Sequence, residues 1–213
     1  MDRLWAFALS LSILLPIVAG IFRFQRLNDV FKAYFILLVV GLCNELVCFL
    51  FFYHSSNAVP TNIYFLCEHV LLSIQFYQWR KGKQKIYMYM MWVLIIAWCT
   101  EDILFERICT FSPYFQVAYS LFLILLAVNQ LNWLIVNERG NIIKQPVFIS
   151  CVAIIIFFSY KVITEIFYYY APKNDIKNNI FVLESYVNVG YHLLLTIAIL
   201  CIPPKISFIR QSR

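Results

Sequence analysis

Four carboxylates and one amine, Glu45, Glu68, Glu165, Glu184 and Lys161, stand inside strongly apolar stretches of a 213-residue chain. An ionised side chain at a bilayer centre costs about 2.5–3.5 kcal/mol on insertion scales, so such groups face a polar cavity or one another and mark where chemistry is done. The chemistry open to them is charge exchange. A carboxylate binds a cation or, once desolvated, carries a proton, and an ammonium opposite it acts as a switch. Spacing groups them further. Glu184, Asn188 and His192 recur every fourth residue, and Tyr64, Glu68 and Gln75 share a helical face with His69 on its flank. Lys161 and Glu165 are four apart and are expected to neutralise each other, while Asn44 accompanies Glu45. These ten residues, Glu45, Tyr64, Glu68, His69, Gln75, Lys161, Glu165, Glu184, Asn188 and His192, are the predicted ligand- or ion-binding set.

The elements that position them are membrane helices. The chain is 62% hydrophobic, 18% aromatic and only 13% charged, against roughly 25% charged in soluble domains. Seven apolar segments approach the roughly 20 residues a spanning helix needs: 4–22, 33–53, 62–79, 86–104, 114–136, 146–170 and 179–202. They are continuous runs and not ten-residue alternations, which excludes a barrel. The expected fold is therefore all-α, a single seven-helix transmembrane domain over 1–213 with no soluble domain. Pro60, Pro113, Pro146, Pro172, Pro203 and Pro204 fall at or beside segment ends, where a missing N–H does least harm. Pro16 alone is internal and predicts a kink, its freed carbonyl needing Ser12 or a facing helix.

Lys and Arg give the orientation. Alternate loops place Arg23, Arg26, Lys32, Arg80, Lys81, Lys83, Lys85, Arg139, Lys144, Lys205, Arg210 and Arg213 on one side, against Arg3, Arg107, Lys173 and Lys177. By the positive-inside rule the N-terminus is outside and the C-terminus cytoplasmic. The net charge of +6 is thus topological, and no nucleic-acid partner is implied. Arg23 and Arg26 directly follow the first segment, a bias opposite to that of a signal peptide, so the segment is expected to be retained. Counted from the outer ends, the five ionisable residues lie roughly 7–14 Å deep at 1.5 Å per residue, all in the outer half. Glu101, Asp102 and Glu106 are expected to reach headgroups or water at the end of the fourth segment, and Asn129, Gln130 and Asn132 to act as interhelical hydrogen-bond glue. The seven cysteines show no CxxC pair and read as small packing residues.

The third and seventh segments open alike, Asn62-Ile63-Tyr64-Phe65-Leu66-Cys67-Glu68 against Asn179-Ile180-Phe181-Val182-Leu183-Glu184. This predicts a 3+1+3 parallel repeat. Such a layout resembles the SWEET and PQ-loop transporters, which implies a central substrate path between repeats. The chain lacks that family's Pro-Gln pairs, since Pro16 precedes Ile17, so no binding residue carries over. Ile63, Tyr64 and Glu68 after Pro60 also resemble the Ile-Tyr-x-x-x-Glu pattern of a group of short bacterial multi-pass proteins. That resemblance implies an inner-membrane location and supplies no activity.

Function is weighed among three classes. The favoured expectation is a carrier for a small polar solute or ion, open to proton coupling, with an outward-facing polar cavity. The alternative is a sensor that signals through a cytoplasmic protein partner; homo-oligomerisation is compatible with both. An intramembrane metal-dependent hydrolase ranks third, because His54, His69 and His192 are the only histidines and no HExxH, GxSxG, Walker or dinucleotide motif appears. No cofactor, catalytic residue or metal ligand is assigned. Retinal is disfavoured because the last segment has no lysine.

Overall fold

The computed structural model of the chain describes residues 3–23, 31–51, 56–80, 84–104, 108–138, 141–170 and 174–203, with backbone alone for 168–170 and 174–181. Among them the structure is helical: α1 (Arg3–Ser10), a 3-10 turn (Leu11–Ile13), α2 (Leu14–Phe22), α3 (Lys32–Phe51), α4 (Ala58–Trp79), α5 (Ile86–Trp98) widening into a π-helical stretch (Cys99–Leu104), α6 (Pro113–Asn137), α7 (Pro146–Tyr170) and α8 (Asn174–Leu200). The 3-10 turn interrupts the first apolar segment just before Pro16. A proline removes the bond to the carbonyl four residues back, here that of Ser12, and the chain tightens at that point.

Six of the helical runs are long and apolar enough to cross a membrane: Leu4–Phe22, Lys32–Phe51, Ile86–Leu104, Pro113–Asn137, Pro146–Phe167 and Val182–Leu200. Their outward faces carry large bare side chains such as Ile21, Leu50, Ile96, Leu125, Ile156 and Ile197. A soluble protein does not expose apolar area on this scale. The chain is a multi-pass helical membrane protein. The seventh predicted span, α4, is as long as the others but Thr61, Asn62, Glu68, His69, Ser73 and Gln75 break its apolarity. The reason is its position, because Ile63 is its one exposed residue. A helix shielded by its neighbours does not need a greasy surface.

The other helices enclose α4. It packs against α3, α5 and α6, α7 lies between α6 and α8, and α8 returns against α1 and α2, which close on α3. Neighbours in sequence run antiparallel: Tyr34 near the start of α3 meets Gln75 near the end of α4, and Tyr87 at the start of α5 meets Asn129 late in α6. The first span instead runs parallel to α8, as the Ser12–His192 and Arg23–Ile202 contacts show. Close approach of α1–α2 to α3 depends on two glycines. A Cβ at Gly20 would lie 2.5 Å from the Phe35 ring, and one at Gly41 would lie 2.8 Å from Ile13.

Helix starts depart from the sequence expectation. Helix α4 begins at Ala58 and not at 62, because the Ser56 hydroxyl accepts the Ala58 N–H at 3.3 Å and Pro60 is tolerated in the first turn. Helix α8 begins at Asn174 and not at 179. Glu68 and Glu184 are each therefore the eleventh residue of their helices, roughly 15 Å from the start at 1.5 Å per residue.

Candidate functional site

The interior face of α4 delivers Tyr64, Phe65 and Glu68, α6 delivers Tyr119, and α7 delivers Phe157, Phe158 and Lys161. Lys161 Nζ donates to the Tyr119 hydroxyl at 2.5 Å and to Glu68 Oε2 at 3.3 Å. Tyr119 in turn donates to the same Glu68 oxygen at 2.8 Å, and Tyr64 donates to the other oxygen at 3.2 Å. Glu68 is 3% exposed, Lys161 5% and Tyr119 fully buried. The ammonium also stands over the Phe65 ring at 4.0 Å, with the Tyr119, Phe158 and Phe157 rings at 5.2, 5.5 and 5.8 Å.

A buried ion pair gains little against an apolar alternative, but breaking it by removing one partner costs about 3–5 kcal/mol. Here both charges keep their hydrogen bonds, and the ring faces add cation–π attraction. The Tyr119 hydroxyl accepts from the ammonium and donates to the carboxylate. It therefore forms a continuous hydrogen-bonded bridge between the two charges.

Around this centre lie the other predicted carboxylates, all half-buried: Glu45 on α3, Glu165 on α7 and Glu184 on α8. Glu165 and Glu184 are within electrostatic range of Lys161 and of each other, and Glu184 also of Glu45. The Ser10 hydroxyl faces Glu45. The expected pairing within α7 is replaced, since the ion pair of Lys161 is made across the bundle with Glu68. An (i, i+4) partner gains only about 0.3–0.5 kcal/mol on a helix surface, whereas an interior lysine must find a desolvated partner on its own buried side.

Other predicted residues point elsewhere. Gln75 is buried near the other end of α4, where its carbonyl accepts the Tyr34 N–H at 2.9 Å and so caps the start of α3. His69 is buried against the Phe115, Tyr119 and Phe122 rings, its Nε2–H directed at the Met91 carbonyl at 3.3 Å. His192 Nδ1 meets the Ser12 hydroxyl at 2.7 Å, in the turn before Pro16. Asn188 is half-buried with no hydrogen bond among the described residues. Tyr119, at the centre, was not foreseen, and one tyrosine among 14 carries no signal that would single it out.

A second polar cluster closes one end of the bundle. Glu101 and Asp102 are buried and do not reach water, contrary to expectation. The π-helical stretch turns both inward. Glu101 accepts the Phe115 and Tyr114 N–H groups at 2.7 and 3.3 Å, capping α6. Asp102 accepts from Ser112 and, at 3.1 Å, from Asn62, whose amide also donates to the Thr110 and Ile108 carbonyls at 2.7 and 3.2 Å. Glu106 and His54 lie outside the described residues. Among the expected glue residues, Asn129 links α6 to Tyr87 of α5 at 2.6 Å, Gln130 is buried and Asn132 is exposed. No three His, Cys, Asp or Glu side chains converge as metal ligands among the described residues. Comparison with protein-family models, with curated proteins and with solved structures finds no match for this chain.

Proposed function

We propose that the protein is an inner-membrane carrier for a small polar solute or ion, and that the Lys161–Glu68 pair is its charge switch. The observation that carries this reading is the position of the pair. Two opposite charges on separate helices meet in the middle of the bundle, directly bridged by Tyr119 and accompanied by three carboxylates that make no ion pair among the described residues. A purely structural pair gains nothing from such neighbours. A carrier needs them, because the solute must be drawn to a sealed site and must alter the charge balance on arrival. Proton coupling follows from the bridge: Glu68 alternates between holding Lys161 and holding a proton.

Seven spans, with α4 as the shielded one, and an outside N-terminus complete the picture, supported by the twelve-to-four distribution of Lys and Arg. The equal positions of Glu68 and Glu184 along their helices support the 3+1+3 repeat, since the matched Asn-to-Glu stretches then occupy matching places in α4 and α8. The buried state of Glu68 and Lys161 corresponds to a closed conformation of the outer cavity. The sensor reading gains from Gly20 and Gly41, which are packed against neighbours and so are poor hinges. It requires a cytoplasmic partner protein.

Proteoliposomes holding a pH-sensitive dye decide the matter. Addition of a panel of small amines, amino acids and sugars is expected to drive proton movement for one class, and Glu68→Gln to abolish it. Binding of a solute with no flux in the wild type would refute the carrier and leave the sensor.

A further inference from the structure

We propose that the solute is a small protonated amine, and that the aromatic cage around Lys161 is an ammonium site whose built-in occupant the solute displaces. The inference rests on the carrier reading and names its substrate class. The cage already holds a primary ammonium in the manner such a ligand requires: a carboxylate and a hydroxyl as hydrogen-bond acceptors, at 3.3 and 2.5 Å, and a ring face at 4.0 Å. Aromatic faces beside a carboxylate select cations, because the ring quadrupole attracts positive charge and repels negative.

The charge of the surroundings fixes the sign of the ligand. Glu68 is satisfied by Lys161, and Glu45, Glu165 and Glu184 on three different helices make no ion pair among the described residues. An anion arriving here meets three carboxylates and a lysine already committed. A cation finds three candidate counter-ions, and an anion finds none. Beneath the pair, the buried Tyr34 and Tyr191 hydroxyls face one another, and Ser150 also faces Tyr34. Both lie within the field of Glu68, and the Tyr191 ring stacks on Phe157 of the cage at 4.4 Å. Lys161 also has somewhere to go. Glu165 is one helical turn further along α7, so when an incoming amine takes Glu68, the lysine turns to Glu165 and closes the exchange with no charge left unpaired.

The full chain in nanodiscs, titrated calorimetrically with n-butylammonium and with butyrate, tests this. n-Butylammonium copies the lysine side chain, and butyrate matches its size with the opposite charge. Wild type is expected to bind n-butylammonium and not butyrate. Lys161→Ala removes the competitor and should tighten n-butylammonium binding by tenfold or more. Phe65→Leu added to Lys161→Ala, where no resident ammonium shares the ring, should then weaken binding about tenfold. Binding of butyrate, binding of neither, loss of binding in a folded Lys161→Ala, or unchanged affinity on adding Phe65→Leu would each overturn the proposal. Should Lys161→Ala not fold, Lys161→Met, which fills the lysine's place without its charge, takes over in both measurements. The two readings fail separately: n-butylammonium binding without flux removes the carrier and leaves the ammonium site, whereas flux of an anion or neutral solute does the reverse.

Discussion

Glu101 and Glu68 are carboxylates sealed inside the same bundle, yet among the described residues Glu101 is met by backbone N–H groups and Glu68 by side chains. Glu101 accepts two N–H groups from the first turn of α6, a helix start that has unsatisfied donors and a positive dipole end in any case. These two N–H groups are fixed by the fold and cannot leave without unwinding a helix. Glu68 is held by side chains alone: two tyrosine hydroxyls and a lysine from three helices. Each of those can rotate away. Burial by itself therefore does not distinguish a structural carboxylate from a working one, but the mobility of its partners does.

The comparison is broken most forcefully at Lys161. Replacing it by alanine leaves Glu68 as an unpaired buried charge, and the expected loss of stability is about 3–5 kcal/mol, read from reversible unfolding in lipid–detergent mixtures. Removing both charges, as in Lys161→Met with Glu68→Gln, should recover most of that loss. A single substitution costing under about 1 kcal/mol would mean that the pair is not desolvated as drawn, since that is the range of exposed pairs. A smaller effect is expected at the capped end. Glu101→Ala orphans the Phe115 and Tyr114 N–H groups and should cost about 1–3 kcal/mol. It should leave n-butylammonium affinity unchanged, because the bonds it removes are to backbone N–H groups and not to side chains of the cage. A change in affinity there would erase the distinction between the two regions.

Much of this was visible in the sequence, for an identifiable reason. Bilayer thickness imposes a length on each span, so 146–170 is recovered residue for residue as α7, and interior charges stand out against an apolar background. What sequence does not show is rotation and reach. Lys161 reads locally as the partner of Glu165, but its buried side faces α4 and α6. Gln75 reads as part of the same stripe as Glu68, two helical turns away, yet that distance takes it to the far end of α4, where it caps α3. Glu101 and Asp102 read as interfacial because they are near a segment end, and only the wide turn at Cys99–Leu104 shows them facing inward. Gln75→Leu sharpens the point, since loss of one neutral acceptor should cost about 1 kcal/mol without altering ligand binding.

The smallest expected effect on stability bears most directly on the choice between carrier and sensor. Among the described glycines, Gly20 and Gly41 are wedged against α3 and Ile13, but a Cβ at Gly190 meets nothing within 4 Å. Nothing in packing calls for glycine there. Alanine should stabilise α8 by about 0.4–1 kcal/mol, because glycine forfeits more backbone freedom on folding. Gly190 stands six residues beyond Glu184 on the same helix, where bending would move that carboxylate relative to Lys161. If α8 flexes there during transport, Gly190→Ala should slow flux severalfold while n-butylammonium affinity stays constant, since the closed cage does not include this residue. Unchanged flux would place the moving element elsewhere, and a changed affinity with intact stability would show that Gly190 shapes the resting site. A helix that gains stability and loses turnover is the behaviour a hinge predicts and a static cap such as Glu101 does not.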